Sequence, residues 1–120
     1  MKNSSVSLIN ELQGALDYAV QHERWVILVC PKQSKALESC KQILLGIIPD
    51  GVPHSGRTFL LGQGATISLA VSSDEVFAPP GDYDALFVAW EEVTENEVFL
   101  HMERWRKGAK RVLNSSWGYR

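Results

Sequence analysis

Two adjacent carboxylates, Glu91 and Glu92, are the residues whose type and position best suit chemistry. They directly follow the apolar run ALFVAW at residues 85–90, which predicts a central β-strand. Carboxylates at the carboxyl end of a strand can bind Mg²⁺ or orient a water molecule. Asp82 and Asp84 lie at the other end of that run, too far away to share a metal ion with them. The alternative is that Glu91 and Glu92 are solvated residues leading into a helix, whose N-terminus favours negative charge.

Cys30 ends a second apolar run, WVILVC at residues 25–30, and is a candidate nucleophile. That role requires Lys32 or the start of the following helix to lower the pKa of the thiol. The alternative, which we favour, is a small buried residue that closes the strand, because free cysteine is among the most buried residue types.

Other catalytic signatures are absent from the sequence. Cys30 and Cys40 do not form a CxxC pair, and no Cys/His spacing fits a zinc site. No glycine-rich loop ending in Gly-Lys-Ser/Thr is present to hold phosphate. The three histidines, His22, His54 and His101, are scattered along the chain. We therefore predict no catalytic residue, no cofactor and no metal site, and keep Glu91 and Glu92 as acidic-site candidates.

A basic–aromatic cluster near the end of the sequence is the main candidate for binding a partner. Its members are Arg104, Trp105, Arg106, Lys107, Arg111 and Trp117. Such residues hold phosphates and stack on bases, and Arg and Trp are also enriched at the energetic centres of protein interfaces. The alternative is the C-terminal end of a helix, where cations complement the dipole and Trp105 faces the core. A loop at residues 76–83, which contains Pro79-Pro80-Gly81, is the second candidate binding element.

The elements that position these residues follow from hydrophobic spacing. The pattern predicts an α-β-α-β-β-β-α-β order, in one α/β domain over residues 1–120 with a mixed sheet flanked by helices. The predicted helices cover residues 5–21, a stretch that begins at 32 and is stopped by Pro49, and 94–108. The predicted strands cover residues 25–30, 57–61, 66–71, 85–90 and 111–114, with a hairpin turn at 62–64.

Length and composition place the chain in a broad class. Its 120 residues are 45% hydrophobic and 22% charged, as expected of one globular domain. The net charge of −2 gives no overall electrostatic case for tight nucleic-acid binding. No apolar run approaches the ~20 residues of a membrane span, and the N-terminal residues lack the apolar core of a signal peptide. We therefore expect a cytoplasmic protein with no membrane partner, while the sequence leaves the oligomeric state open.

Three segments, taken in order, resemble the core of a RecA-like ATPase of the kind found in phage terminase large subunits and helicases. RWVILVCP, residues 24–31, and the helix predicted after it resemble the strand and helix that follow the phosphate-binding loop in that family. DALFVAWEE, residues 84–92, resembles the strand that ends in the acidic pair, and RVLNSSW, residues 111–117, resembles the coupling strand. The resemblance implies that Glu91 and Glu92 match the acidic pair.

The same resemblance implies a relative that does not hydrolyse nucleotide. No phosphate-binding loop precedes the first predicted helix, and Trp90 or Glu91 stands where that family has its magnesium-binding Asp. Such a stripped relative would be a decoy, an inhibitor or an assembly protein of a phage or other mobile element. Residues 32–114 can also be matched to an αβββαβ nuclease core, but the third strand, TISLAVSS at 66–73, lacks the catalytic residues.

Three functional hypotheses follow from these observations. The first is a non-catalytic protein that binds a larger protein through the loop at 76–83 or the basic–aromatic cluster. The second is a nucleic-acid-binding module that uses the same cluster. The third is a small nucleotide-binding enzyme that uses Glu91 and Glu92, with Cys30 as a further candidate. We expect the first, because the residues that catalysis would need are missing.

Overall fold

The chain folds around a six-stranded mixed β-sheet. This computed structural model describes residues 4–31, 35–71, 83–88, 96, 99–100, 103, 105 and 110–113. Two helices have bounds within these residues, α1 (Ser4–His22) and α2 (Ala36–Ile47). The strands are β1 (Trp25–Cys30), β2 (His54–Ser55), β3 (Thr58–Gly62), β4 (Ala65–Val71), β5 (Tyr83–Phe87) and β6 (Arg111–Leu113). The α/β fold class is therefore confirmed, and the element order approximately so.

The most apolar strand, β1, lies in the middle of the sheet, whose order is β2-β3-β4-β1-β5-β6. It pairs in parallel with β4 on one side and β5 on the other, and β6 extends the parallel part beyond β5. The β2–β3 and β3–β4 pairs are antiparallel. A continuous apolar run suits this central place, because side chains on both faces of the strand are covered.

Helices α1 and α2 cover one face of the sheet, called here the α1–α2 face. Both helices contact β4 and each other. The main hydrophobic core fills the space between them and the sheet, and every second residue of the strands points into it, as strand geometry requires. Its fully buried side chains include Leu12, Leu28, Leu44, Ile67 and Leu69.

The opposite face of the sheet is also covered by a helical residue, Trp105. Its ring lies edge-on to Tyr83 with centroids 6.4 Å apart. Tyr83 alternates along β5 with Asp84, which contacts Tyr18 of α1, so Tyr83 and Trp105 lie on the face away from α1. Residues 96, 99, 100, 103 and 105 are helical, as predicted for that stretch of sequence. The prediction of a sheet flanked by helices is confirmed.

Several predicted ends of helices and strands are confirmed to within two residues. The predicted hairpin turn is confirmed as well. Gly62, Gln63 and Gly64 all have positive φ, at 101°, 55° and 87°. Glycine adopts such angles freely, so the sequence signal at this turn is strong. The short strand β2 was not predicted, because its two residues and neighbouring prolines read as loop.

The start of β5 is the main correction to the predicted elements. The strand begins at Tyr83, two residues before the predicted start, and Tyr83 is fully buried. Its assignment to an exposed binding loop was therefore wrong. The predicted strand began only at residue 85 because the continuous apolar run starts there, whereas Asp84 is buried inside the strand. Residues 76–82 of the predicted loop lie outside the described residues.

The described residues pack as one domain. The Cα radius of gyration is 13.3 Å, which agrees with the value of about 13.6 Å that a compact domain of this length should have. None of the described helices combines the length and the apolar character that crossing a bilayer would demand.

Candidate functional site

The carboxyl ends of the parallel strands were the predicted location of an acidic site. β1, β4, β5 and β6 run in the same direction, so their carboxyl ends lie at one edge of the sheet, where open α/β sheets commonly bind ligands. β5 ends at Phe87. Glu91 and Glu92 lie outside the described residues, and their assignment as an acidic site stays a prediction.

Cys30 lies at this carboxyl edge, but its surroundings oppose nucleophilic chemistry. Its side chain is fully buried, and a hydrogen bond with the Cys40 thiol together with burial raises its pKa well above the ordinary value. The positive charge of Arg57 acts in the opposite direction and is outweighed. Neither cysteine forms a disulfide. A thiolate is therefore disfavoured here, and the interpretation of Cys30 as a buried residue that closes β1 is confirmed.

The basic–aromatic cluster is described at two of its six members. Trp105 is 3% exposed, so its inclusion among partner-contacting side chains is corrected: the ring belongs to the interior, as the alternative interpretation held. Arg111 begins β6, where it pairs in register with Asp84 of β5. Arg104, Arg106, Lys107 and Trp117 lie outside the described residues, and their binding role stays a prediction.

A buried ion pair that no local sequence pattern predicted lies at the amino edge of the parallel strands. The Arg24 guanidinium donates from Nη2 to Asp84 Oδ1 at 2.7 Å and from Nε to Asp84 Oδ2 at 3.2 Å. The Tyr18 hydroxyl donates to Asp84 Oδ2 at 2.8 Å. Asp84 is fully buried and the Arg24 side chain is 20% exposed. These three residues join α1, the start of β1 and β5.

The end of α1 explains why Arg24 points at this carboxylate. Glu23 adopts a left-handed conformation with φ of 54°, and the Arg24 amide donates to the Ala19 carbonyl at 3.0 Å. The Glu23 amide donates to the Val20 carbonyl at 3.4 Å, which completes a Schellman-type helix end. This turn holds Arg24 against the sheet, beside Asp84. The charges of these two residues neutralise each other, so the pair stabilises the fold.

The opposite face of the sheet carries a second set of polar side chains, of which Ser68 and Tyr83 are buried and Trp25 and Thr58 are half-buried. Trp25 donates from Nε1 to the Ser68 hydroxyl at 3.0 Å, and that hydroxyl also contacts the Thr58 hydroxyl at 3.1 Å. Tyr83 packs against the Trp25 ring with centroids 5.8 Å apart, yet within the described part of the chain its own hydroxyl is buried without a hydrogen-bond partner. Burial raises the pKa of that hydroxyl. A buried hydroxyl with no partner costs free energy.

An open apolar cleft lies between the two helices and β3. It has a volume of about 530 Å³, within the usual range of ligand pockets. One wall is the last two turns of α1, with Leu16, Asp17, Val20 and Gln21. The other wall is formed by the end of α2, the turn after it and β3, with Ile47, Pro49, Val52 and Leu61. Six of these eight described side chains are apolar or proline.

The rim of the cleft is open to solvent. Val20 is 53% exposed although it is apolar, whereas Leu16 forms the buried floor. Asp17, Gln21 and Pro49 are also exposed. Exposure of apolar surface to water in this way is unfavourable, and burying that surface against a partner would lower the free energy.

Comparison with known proteins gives no match from which a site could be assigned, so the assignment rests on the geometry of the structure. No family model, curated protein or solved structure matches this chain. The described residues hold no group of three or more His, Cys, Asp or Glu side chains that could bind a metal ion. Within the described part of the chain, the cleft is a concave apolar surface that is open to solvent, and it is the candidate site considered below. The resemblance to RecA-like ATPases stays a prediction.

The sequence carried a partial signal for the cleft. Val20 recurs at helical spacing with Leu16 and Ala19, a pattern that indicates the apolar face of a helix. The structure buries Leu16 and Ala19 and leaves Val20 at the rim. The opposing wall comes from residues 47–61, about thirty positions or more along the chain, and no local pattern reveals that pairing.

Proposed function

We propose that this domain is a non-catalytic interaction protein that binds a larger protein, as an inhibitor or assembly factor does, and that the cleft is its docking site. The observation that carries the proposal is the exposed apolar wall of α1 around Val20. The charged groups of the Arg24–Asp84 pair are buried against each other, and the Cys30 thiol is held in its neutral form, so neither offers an attacking group to a substrate.

The openness of the cleft favours a protein over a small molecule. Small-molecule sites bury about 70–90% of the ligand surface. Here Asp17, Val20, Gln21 and Pro49 are all exposed at the rim, so a small ligand would stay largely in water. A protein partner covers the rim as well as the floor, which is how the apolar centre of an interface becomes fully desolvated.

Affinity purification with a matched pair of variants tests this proposal. Tagged wild-type protein, Val20→Glu and Leu45→Glu are purified from the native host with nuclease treatment, and co-purifying proteins are quantified by mass spectrometry. Leu45 is 42% exposed on α2 and does not line the cleft, so it is the control for adding a surface charge. Val20→Glu should lower recovery of a stoichiometric partner about ten-fold or more, because it places a charge in the apolar centre of the interface.

Three outcomes would contradict the proposal. One is equal recovery of every partner by wild-type protein and Val20→Glu, provided that circular dichroism shows both to be folded. Another is a partner that disappears with nuclease, which would support nucleic-acid binding instead. The third is loss of the partner in Leu45→Glu as well as Val20→Glu, which would move the interface away from the cleft.

A further inference from the structure

We infer that the segment that occupies the cleft is an amphipathic helix that carries a lysine or arginine beside its apolar side chains. This inference rests on the proposed function, because it names the chemistry of the partner at the same site. It is carried by two features of the cleft: the position of its charged residue and the direction of its walls.

The charge of the cleft is acidic and lies on one wall. Asp17 is the charged member of the described lining residues, and Gln21 lies one helical turn further along α1. Asp17 Oδ1 accepts a hydrogen bond from Gln13 Nε2 at 3.1 Å. Among the described residues no cation pairs with Asp17, so its carboxylate can accept a donor from the partner. A cation there gains a charge-assisted hydrogen bond, whereas an acidic residue is repelled.

The walls of the cleft suit a helix better than a strand. Leu16 and Val20 form one row along α1, and Asp17 and Gln21 form the next row. Rows of residues four apart are the ridges against which a second helix packs. Strand addition would need backbone donors on the opposite wall, but Pro49 has no amide proton, and the Leu60 amide of β3 already donates to the Pro53 carbonyl.

The length of the cleft along α1 agrees with a short contact between two helices. Leu16 to Gln21 covers about one and a half helical turns, roughly 8 Å along α1. The occupant therefore presents two apolar side chains at i and i+3 or i+4 to Leu16, Val20, Ile47 and Leu61, and its cation reaches Asp17 at the rim. The partner helix would lie along the last turns of α1.

Site-specific photo-crosslinking in the native host tests this inference with the full chain. Gln21 at the cleft rim is replaced by p-benzoyl-phenylalanine, and the matched control places the same group at Gln42, an exposed glutamine of α2 that does not line the cleft. Crosslinked peptides are sequenced by mass spectrometry. Each experiment is repeated with Asp17→Asn and with Asp17→Lys.

The expected result is a crosslink from position 21, and not from position 42, to a helical partner segment with apolar residues at i and i+3 or i+4 and a Lys or Arg within one turn. A synthetic peptide of that segment should bind Asp17→Asn about three-fold and Asp17→Lys about ten-fold more weakly than wild type. Added salt should weaken binding to wild type more than to Asp17→Asn.

The remaining outcomes overturn the inference in distinguishable ways. A crosslinked segment without a cation, an extended segment, or equal binding by the Asp17 variants contradicts the inference and leaves the proposed function standing. A crosslink to a second copy of this chain contradicts the inference and reassigns the cleft to self-association. Equal crosslinking from positions 21 and 42, together with partner recovery by Val20→Glu, contradicts both the inference and the proposed function.

Discussion

Tyr83 and Asp84 are neighbours in β5, both are fully buried, and they point to opposite faces of the sheet. Asp84 accepts three hydrogen bonds from Arg24 and Tyr18. The Tyr83 hydroxyl has no hydrogen-bond partner among the described residues. The comparison shows that burial by itself does not decide the cost of a polar group. A charged carboxylate is accommodated on one face by dedicated donors, whereas a neutral hydroxyl remains a cost on the other.

The largest effect should come from removing the cation that pairs with Asp84. Arg24→Met keeps much of the side-chain length and leaves a fully buried carboxylate with Tyr18 as its remaining donor among these contacts. Breaking a buried pair in this way should lower the free energy of unfolding by about 3 kcal/mol. Urea denaturation followed by tryptophan fluorescence measures the change.

Asp84→Asn is the control for that prediction. It removes the negative charge and leaves Arg24, which is 20% exposed and can still reach water. Its cost should therefore be smaller than that of Arg24→Met, and the double variant should cost less than the sum of the two single changes. Equal costs for both single variants, with full additivity, would show that the pair does not act as a unit.

A middle-sized effect is expected at the hydroxyl that does have a partner. Tyr18→Phe removes the 2.8 Å hydrogen bond to Asp84 Oδ2 and leaves the ring in place. Hydrogen bonds to charged groups contribute about 1.5–3 kcal/mol, so unfolding should require about 1.5 kcal/mol less. Urea denaturation measures this change as well. In a protein that already carries Asp84→Asn, Tyr18→Phe should lower the free energy of unfolding by less.

The smallest effect has the opposite sign. Tyr83→Phe removes a buried hydroxyl that no other described residue hydrogen-bonds, and it should stabilise the protein by about 1 kcal/mol. Thermal unfolding of the two Tyr→Phe variants, side by side, gives the clearest form of the comparison. Destabilisation by Tyr83→Phe similar to that by Tyr18→Phe would mean that the Tyr83 hydroxyl is satisfied in solution.

The pH dependence of stability provides a second check on Tyr83. Burial raises the pKa of its hydroxyl in the folded state, whereas an unfolded tyrosine ionises near its ordinary pKa of about 10. The contribution of the neutral Tyr83 hydroxyl to the free energy of unfolding is therefore fully present below about pH 10. It is lost as the pH rises toward the folded-state pKa. Tyr83→Phe should lose less stability than wild type between pH 9 and 11. Identical losses in the two proteins would contradict this assignment.

Local pattern was sufficient for most elements and for the fate of Cys30. WVILVC is continuously apolar, and it became the central strand with the predicted bounds. Cys30, as the last residue of that strand, was expected to be buried, and it is. Gly62 to Gly64 predicted a hairpin because positive φ is a local property. In each case the residues that determine the structure are adjacent in sequence.

Long-range pairing explains what local pattern missed. The burial of Asp84 was not foreseen because its partners, Arg24 and Tyr18, are 60 and 66 positions away. The cleft could not be foreseen because its walls come from α1, the end of α2 and β3. A side chain such as Val20 joins the core or lines an open groove according to what stands opposite it, and helical spacing does not contain that information.

The sequence by itself therefore determined the class of fold, the central strand and the absence of common catalytic motifs, because apolar period and turn residues act over short distances. The tertiary structure alone decided which polar groups are paired, that Trp105 lies inside, and where an apolar surface remains uncovered. The physical reason is that burial and hydrogen-bond satisfaction depend on residues brought together from distant parts of the chain by the order of strands in the sheet.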